Sequence, residues 1–121
     1  MSHLRRKLRN VRPSWRAIVT LWREEFSFQL QTIFGLIVIL SSFALGISRI
    51  EFLIVLLFIG AVLAVEALNT AIEELCDHVT PEQHPHIGKV KDLASGASLI
   101  IGSFAIVVGM IIFLPYLIRL A

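Results

Sequence analysis

The stretch FLIVLLFIGAVLAVEALNTAIEELCD, residues 52–77, decides the fold. From Phe52 to Val65 it holds no polar group, and at 1.5 Å per residue those positions cover roughly 21 Å of a ~30 Å hydrocarbon core. Glu66, Asn69, Glu73 and Asp77 then follow at spacings of three and four, which places them along one face of a helix. An ionisable group at membrane depth costs on the order of 3 kcal/mol, so it persists mainly where it lines a cavity or does chemistry. Pairing with cations at the helix end would suit Asp77 and Glu74. It suits Glu66 poorly. With the Glu51 end at the opposite surface, Glu66 lies near the hydrocarbon edge rather than at its centre.

Two further apolar segments flank this one. Residues 28–47, with Leu-Ile-Val-Ile-Leu at their centre, and residues 93–117 are each long enough to span. The segment quoted above is expected to run as a helix over 52–75, and Ser48-Arg49-Ile50-Glu51 is expected to make the turn before it. Across all 121 residues, apolar types make up 56% and the mean hydropathy is +0.80, which places the chain in lipid. Three spans alone make a thin bundle. Small residues recur at packing intervals, Gly60, Ala64, Ala67 and Ala71 on the second span and Ala94, Ser98, Gly102 and Ala105 on the third.

The net charge is only +2, but Arg5, Arg6, Lys7, Arg9, Arg12 and Arg16 crowd the amino end. Over residues 3–25 they alternate with Leu4, Leu8, Val11, Trp15, Ile18, Val19 and Trp22, which share one helical face. The pattern predicts an interfacial amphipathic helix, kinked or divided at Pro13. A signal peptide is excluded because Trp22-Arg23-Glu24-Glu25 interrupts before the apolar segments, and no soluble module remains to bind nucleic acid. By the positive-inside rule these cations, with Lys89 and Lys91 in the loop after the second span, put the amino terminus and that loop in the cytoplasm and the carboxyl end outside. The fold class is thus an all-α membrane protein: an amphipathic surface helix and three transmembrane helices forming one domain over 1–121. Cys76 is alone, so there is no disulfide framework.

His84, His86, Lys89, Lys91 and Asp92 are expected in the loop ahead of the third span, with Glu24 and Glu25 ahead of the first, at the level of the polar stripe. Carboxylates there suit Mg²⁺ and a lysine suits phosphate. His84-Pro85-His86 lacks the ligand density of a zinc site, and Gly88-Lys89-Val90-Lys91 lacks the spacing of a phosphate-binding loop.

The string from Glu66 through Asn69 and Glu73 to Asp77, then His84-Pro85, then Lys91-Asp92-Leu93-Ala94-Ser95-Gly96-Ala97, resembles the signature of the bacterial integral-membrane diacylglycerol kinases, a family that includes the undecaprenol kinases. The resemblance extends from the basic helix with Trp15 and Trp22, through Glu25, to the third span. It implies a homotrimer in the bacterial inner membrane, with active sites near the cytoplasmic face between subunits, that transfers the γ-phosphate of ATP to a lipid alcohol with Mg²⁺. Carried over residue by residue, Glu66 matches the general base and Asn69 its polar neighbour. Glu25 and Glu73 match the metal-holding carboxylates. Arg6, His84, Lys91 and Asp92, with those two carboxylates, match nucleotide contacts. Arg6, Trp22, Phe28 and Ser95, with Glu66, match positions bordering the lipid. Pro13 departs from the aromatic residue that some relatives carry near the nucleotide, and Gln29 with Leu30 departs in the stretch after Glu25.

The lipid itself stays open between diacylglycerol and undecaprenol. Residues 24–28 and His84-Pro85 lean toward undecaprenol kinases, whereas Ala94-Ser95-Gly96 is common to both. Two other classes compete: a small ion or proton transporter, which would need polar groups through the full bilayer depth, and a non-catalytic membrane subunit. Apart from Ser41 and Ser42 the outer halves of the spans lack such groups.

Overall fold

The computed structural model describes residues 2–79 and 84–121, and it contains four helices: α1 Ser2–Glu24, α2 Phe26–Leu45, α3 Arg49–Val79 and α4 Pro85–Leu120. The last three are long and apolar enough to cross a membrane, so the chain is a multi-pass membrane protein with an amino-terminal helix ahead of its spans. α3 packs most extensively on α4 and less on α2, and α1 meets α2.

The boundaries follow local chemistry that the apolar pattern does not report. α2 stops at Gly46, whose φ of 63° and ψ of 44° is a left-handed conformation that glycine adopts without a Cβ penalty. The Gly46 N–H donates to the Phe43 carbonyl and the Ile47 N–H to the Ser42 carbonyl, a Schellman ending that satisfies two carbonyls of the last turn. The expected turn at residues 48–51 is therefore corrected: the reversal is complete by Ser48. Ser48 caps α3 instead. Its backbone N–H donates to Glu51 Oε1 at 3.0 Å, and the Glu51 N–H donates to Ser48 Oγ at 3.2 Å. This reciprocal capping box places Arg49, Ile50 and Glu51 inside the first turn of the helix. Phe43 and Phe52 pack across the reversal with ring centroids 5.2 Å apart.

At its other end α3 continues four residues past the expected Leu75, to Val79. α4 begins eight residues before the expected Leu93, at Pro85, and ends three residues past Leu117. Proline at the first helical position has no N–H to leave unsatisfied, and His84 Nδ1 accepts the N–H of His86 at 3.2 Å as a cap. His86, Lys89, Lys91 and Asp92 thus stand on α4 rather than in a loop, which corrects the expectation above. The centre of the expected loop, residues 80–83, lies outside the described residues.

α1 runs through Pro13 as one helix, so of the two expected effects, a kink or a division, proline does not produce the division. Proline removes one intrahelical donor, but every residue from Ser2 to Ile18 is exposed, so water and headgroups can take the freed carbonyl. The chain breaks helical geometry at Glu25 instead, where φ is −107° and ψ is 107°. Gln29, one turn into α2, donates its Nε2 to the Trp22 carbonyl at 2.6 Å and so closes the end of α1.

Close approach between α2 and α3 occurs at Gly35, where an added Cβ would lie 3.0 Å from Ile59 Cγ2. At Gly60 and Gly102, two of the glycines expected to pack helices, an added Cβ would meet nothing within 4 Å among the described residues. Those positions lie on faces that the chain's own helices do not cover. Among the described residues the buried apolar set is small, Phe28, Val55, Cys76, Ala94 and Ile112, and long rows of Leu, Ile and Phe face outward. In lipid such exposure carries no hydrophobic cost, so the helices are held by packing and by polar links.

Candidate active site

The polar stripe of α3 divides by depth. Glu66, Asn69 and Thr70 are buried, Glu73 is half-buried, and Glu74 and Asp77 are exposed. Glu66 is only 8% exposed and stands where three helices meet. Gln31 of α2 donates its Nε2 to Glu66 Oε2 at 3.4 Å, and Ser98 of α4 donates its Oγ to the same oxygen at 3.2 Å. Two buried acceptors, Asn69 Oδ1 and Gln31 Oε1, have no hydrogen-bond donor among the described residues. Burying an acceptor without a donor costs about 1–3 kcal/mol, so each of these oxygens is suited to a group that brings an O–H or N–H.

Beside this junction, a cleft of about 420 Å³ opens between α1 and α3. Pro13, Arg16 and Thr20 line it from α1, Glu25 from the helix break, and Ala67, Thr70 and Glu74 from α3. The extended backbone at Glu25 turns the chain from surface helix to span, and its carboxylate makes no capping hydrogen bond to α2. That side chain is half-buried at the cleft wall and makes no hydrogen bond among the described residues. Small side chains at Ala67 and Ala71 leave the cleft open on the α3 side.

No hydrogen bond or ion pair among the described residues joins the remaining candidates to Glu66, and Arg6 stands near the far end of α1 from Glu25. Lys91 Nζ lies 2.7 Å from Asp77 Oδ1, an ion pair joining α4 to α3. Asp77 therefore has the structural partner that its position at the helix end suggested. Asp92 and Ser95 are exposed on α4, His84 caps it, Arg6 and Trp22 are exposed on α1, and Phe28 is buried near the start of α2. The α4 hydroxyl that reaches Glu66 is that of Ser98, one turn beyond Ser95. Neither Gln31 nor Ser98 was legible as a partner of Glu66, because spacing along one helix says nothing about the rotation of its neighbours. The one available signal was a polar residue within an apolar span on each of α2 and α4.

Among the described residues no three His, Cys, Asp or Glu side chains come together as a metal centre. A pair of carboxylates suits Mg²⁺, which keeps several waters and takes phosphate oxygens in place of a full protein cage. Glu25 and Glu73 are both half-buried and carry hard oxygen donors of the type Mg²⁺ takes, but the α3 acid that shares the cleft with Glu25 is Glu74.

The sequence model of one family, described as prokaryotic diacylglycerol kinase, matches residues 12–113. Among individual proteins, an undecaprenol kinase of Bacillus subtilis (strain 168) is 37% identical over 95 residues, covering 78% of this chain and 77% of its own. A diacylglycerol kinase of Escherichia coli (strain K12) is 31% identical over 98 residues, covering 81% of this chain and 77% of its own. The matched range includes Glu25, the whole polar stripe, Lys91 and Ser98.

Proposed function

The chain belongs to the prokaryotic diacylglycerol kinase family and is a lipid kinase, a phosphotransferase with an alcohol acceptor, and on that premise we propose that Glu66 is the base that activates the lipid hydroxyl toward the γ-phosphate of ATP. The observation that carries this reading is the placement of Glu66: a buried carboxylate at the junction of α2, α3 and α4, with an apolar run ahead of it on α3. A lipid alcohol cannot leave the bilayer and ATP cannot enter it. A base at the boundary is where the two can meet.

In this mechanism the lipid hydroxyl reaches the junction from the bilayer and gives its proton to Glu66. Its oxygen bonds to the γ-phosphorus as the bond to the β–γ bridging oxygen breaks, and ADP leaves. Asn69, whose Oδ1 lacks a donor, orients the hydroxyl or the groups around it. Lys91, with Arg6, His84 and Asp92, holds the nucleotide, and the cleft beside Glu25 takes part of it. Glu25 and Glu73 are the residues that would hold Mg²⁺, which would offset charge on the phosphates. Trp22, Phe28 and Ser95 border the lipid.

The active site faces the cytoplasm of a bacterial inner membrane. The cationic α1, with Lys89 and Lys91 at the same end, supports that orientation. Three copies of the chain assemble into a homotrimer. The sparse core of a single chain and the uncovered faces at Gly60 and Gly102 support further helix packing. The test of function is phosphate transfer by purified protein from labelled ATP with Mg²⁺, to diacylglycerol and to undecaprenol in turn. Label in one lipid and not in the other assigns the substrate, and label in neither contradicts the proposal.

A further inference from the structure

We infer that Ser98 and Gln31 are positioning residues for Glu66, holding its carboxylate by Oε2 so that Oε1 is the oxygen presented to the acceptor hydroxyl. The inference rests on Glu66 acting as the base, and goes beyond it by assigning a function to two residues on different helices.

Hydroxyls on helices usually return to their own backbone, and this chain follows that rule widely. Ser14, Thr20, Thr32, Ser41, Ser42 and Ser103 each donate to the carbonyl four residues earlier. Ser98 departs from it. Its hydroxyl leaves the local carbonyl and crosses to Glu66 on α3. The amide of Gln31 is oriented in the same sense: Nε2 faces Glu66 while Oε1 stays buried without a donor. That orientation is favoured because an amide oxygen turned toward a carboxylate would be repelled. Both donors converge on one carboxylate oxygen, from opposite neighbours of α3. A carboxylate on a single Glu side chain has three torsions to fix, and donors from α2 and α4 remove the freedom of the last. At 3.2 and 3.4 Å the contacts are long for hydrogen bonds, as catalytic contacts often are before substrate arrives.

The test compares Ser98→Thr with Ser98→Val, which match in shape and differ only in the hydroxyl, alongside Ser98→Ala, Gln31→Leu and Glu66→Gln. Turnover and KM for ATP and for the lipid are measured in mixed micelles. Loss of one donor to a charged group is worth about tenfold. We expect Ser98→Ala and Ser98→Val to lower kcat about tenfold with both KM values within about twofold, Ser98→Thr to recover most of that loss, and Gln31→Leu to act in the same direction. Equal kcat for Ser98→Thr and Ser98→Val, or wild-type kcat in Ser98→Ala, overturns the positioning role. Those results leave the base assignment standing if Glu66→Gln is inactive. Retained turnover in Glu66→Gln removes the base assignment and the positioning role with it.

Discussion

Lys91 Nζ on α4 lies 2.7 Å from Asp77 Oδ1 on α3, so the lysine proposed to meet phosphate is held by an acid that lies outside the buried part of the site. The pair is solvated, with side-chain exposures of 37% and 67%, and a pair of that kind contributes little to stability. Its consequence is orientation. The ammonium is kept at the end of the molecule where α3 and α4 project beyond their apolar runs.

Asp77→Asn should accordingly leave kcat within about twofold and raise KM for ATP only a few-fold, whereas Lys91→Met should raise that KM about tenfold or more through loss of a charge-assisted contact. Steady-state kinetics at saturating lipid separates the two. Abolished turnover in Asp77→Asn would show that Asp77 belongs to the chemistry.

The approach of α2 to α3 at Gly35 makes a stability prediction. Gly35→Val should destabilise the helix pair by about 1–3 kcal/mol, because its branches enter space already held by Ile59 Cγ2. Ile59→Ala in the same chain should return part of that loss, since the two changes share one contact. Equilibrium unfolding in mixed micelles reads both. Additive destabilisation by the pair would refute the contact.

The pole opposite the active site is joined by Tyr116, whose hydroxyl donates to Glu51 Oε1 at 2.5 Å, with Arg119 placed 5.5 Å from the ring centre. Tyr116→Phe and Ser48→Ala each remove one hydrogen bond of the capped α3 start. Each should lower the Tm in detergent by a few degrees while kcat stays within about twofold. A large loss of turnover with unchanged Tm would tie this pole to the reaction.

Much of this was legible in the chain, for identifiable reasons. Three spans follow from apolar length, and the anomaly of Glu66 follows from the cost of a carboxylate beside hydrocarbon. The boundaries were less legible. Ser48-Arg49-Ile50-Glu51 has the polar look of a turn, yet serine followed three residues later by glutamate is also a capping box, and the free N–H groups of α3 select the second meaning. His84-Pro85 likewise reads as a loop from composition but opens a helix, because proline suits the first helical position. The partners of Glu66 were hidden for a different reason. Contacts between helices depend on their mutual rotation, which periodicity along one helix does not contain, so Gln31 and Ser98 emerged only with the fold.

The most direct test of the central claim is the single-turnover rate of Glu66→Gln, measured with nucleotide affinity on the same preparation. Glutamine keeps the shape and the hydrogen-bonding reach of the side chain but cannot take up the proton. We predict unchanged Tm and ATP affinity with phosphate transfer reduced by about a thousandfold or more, within the range general-base catalysis supplies. Transfer at the wild-type rate would contradict the account.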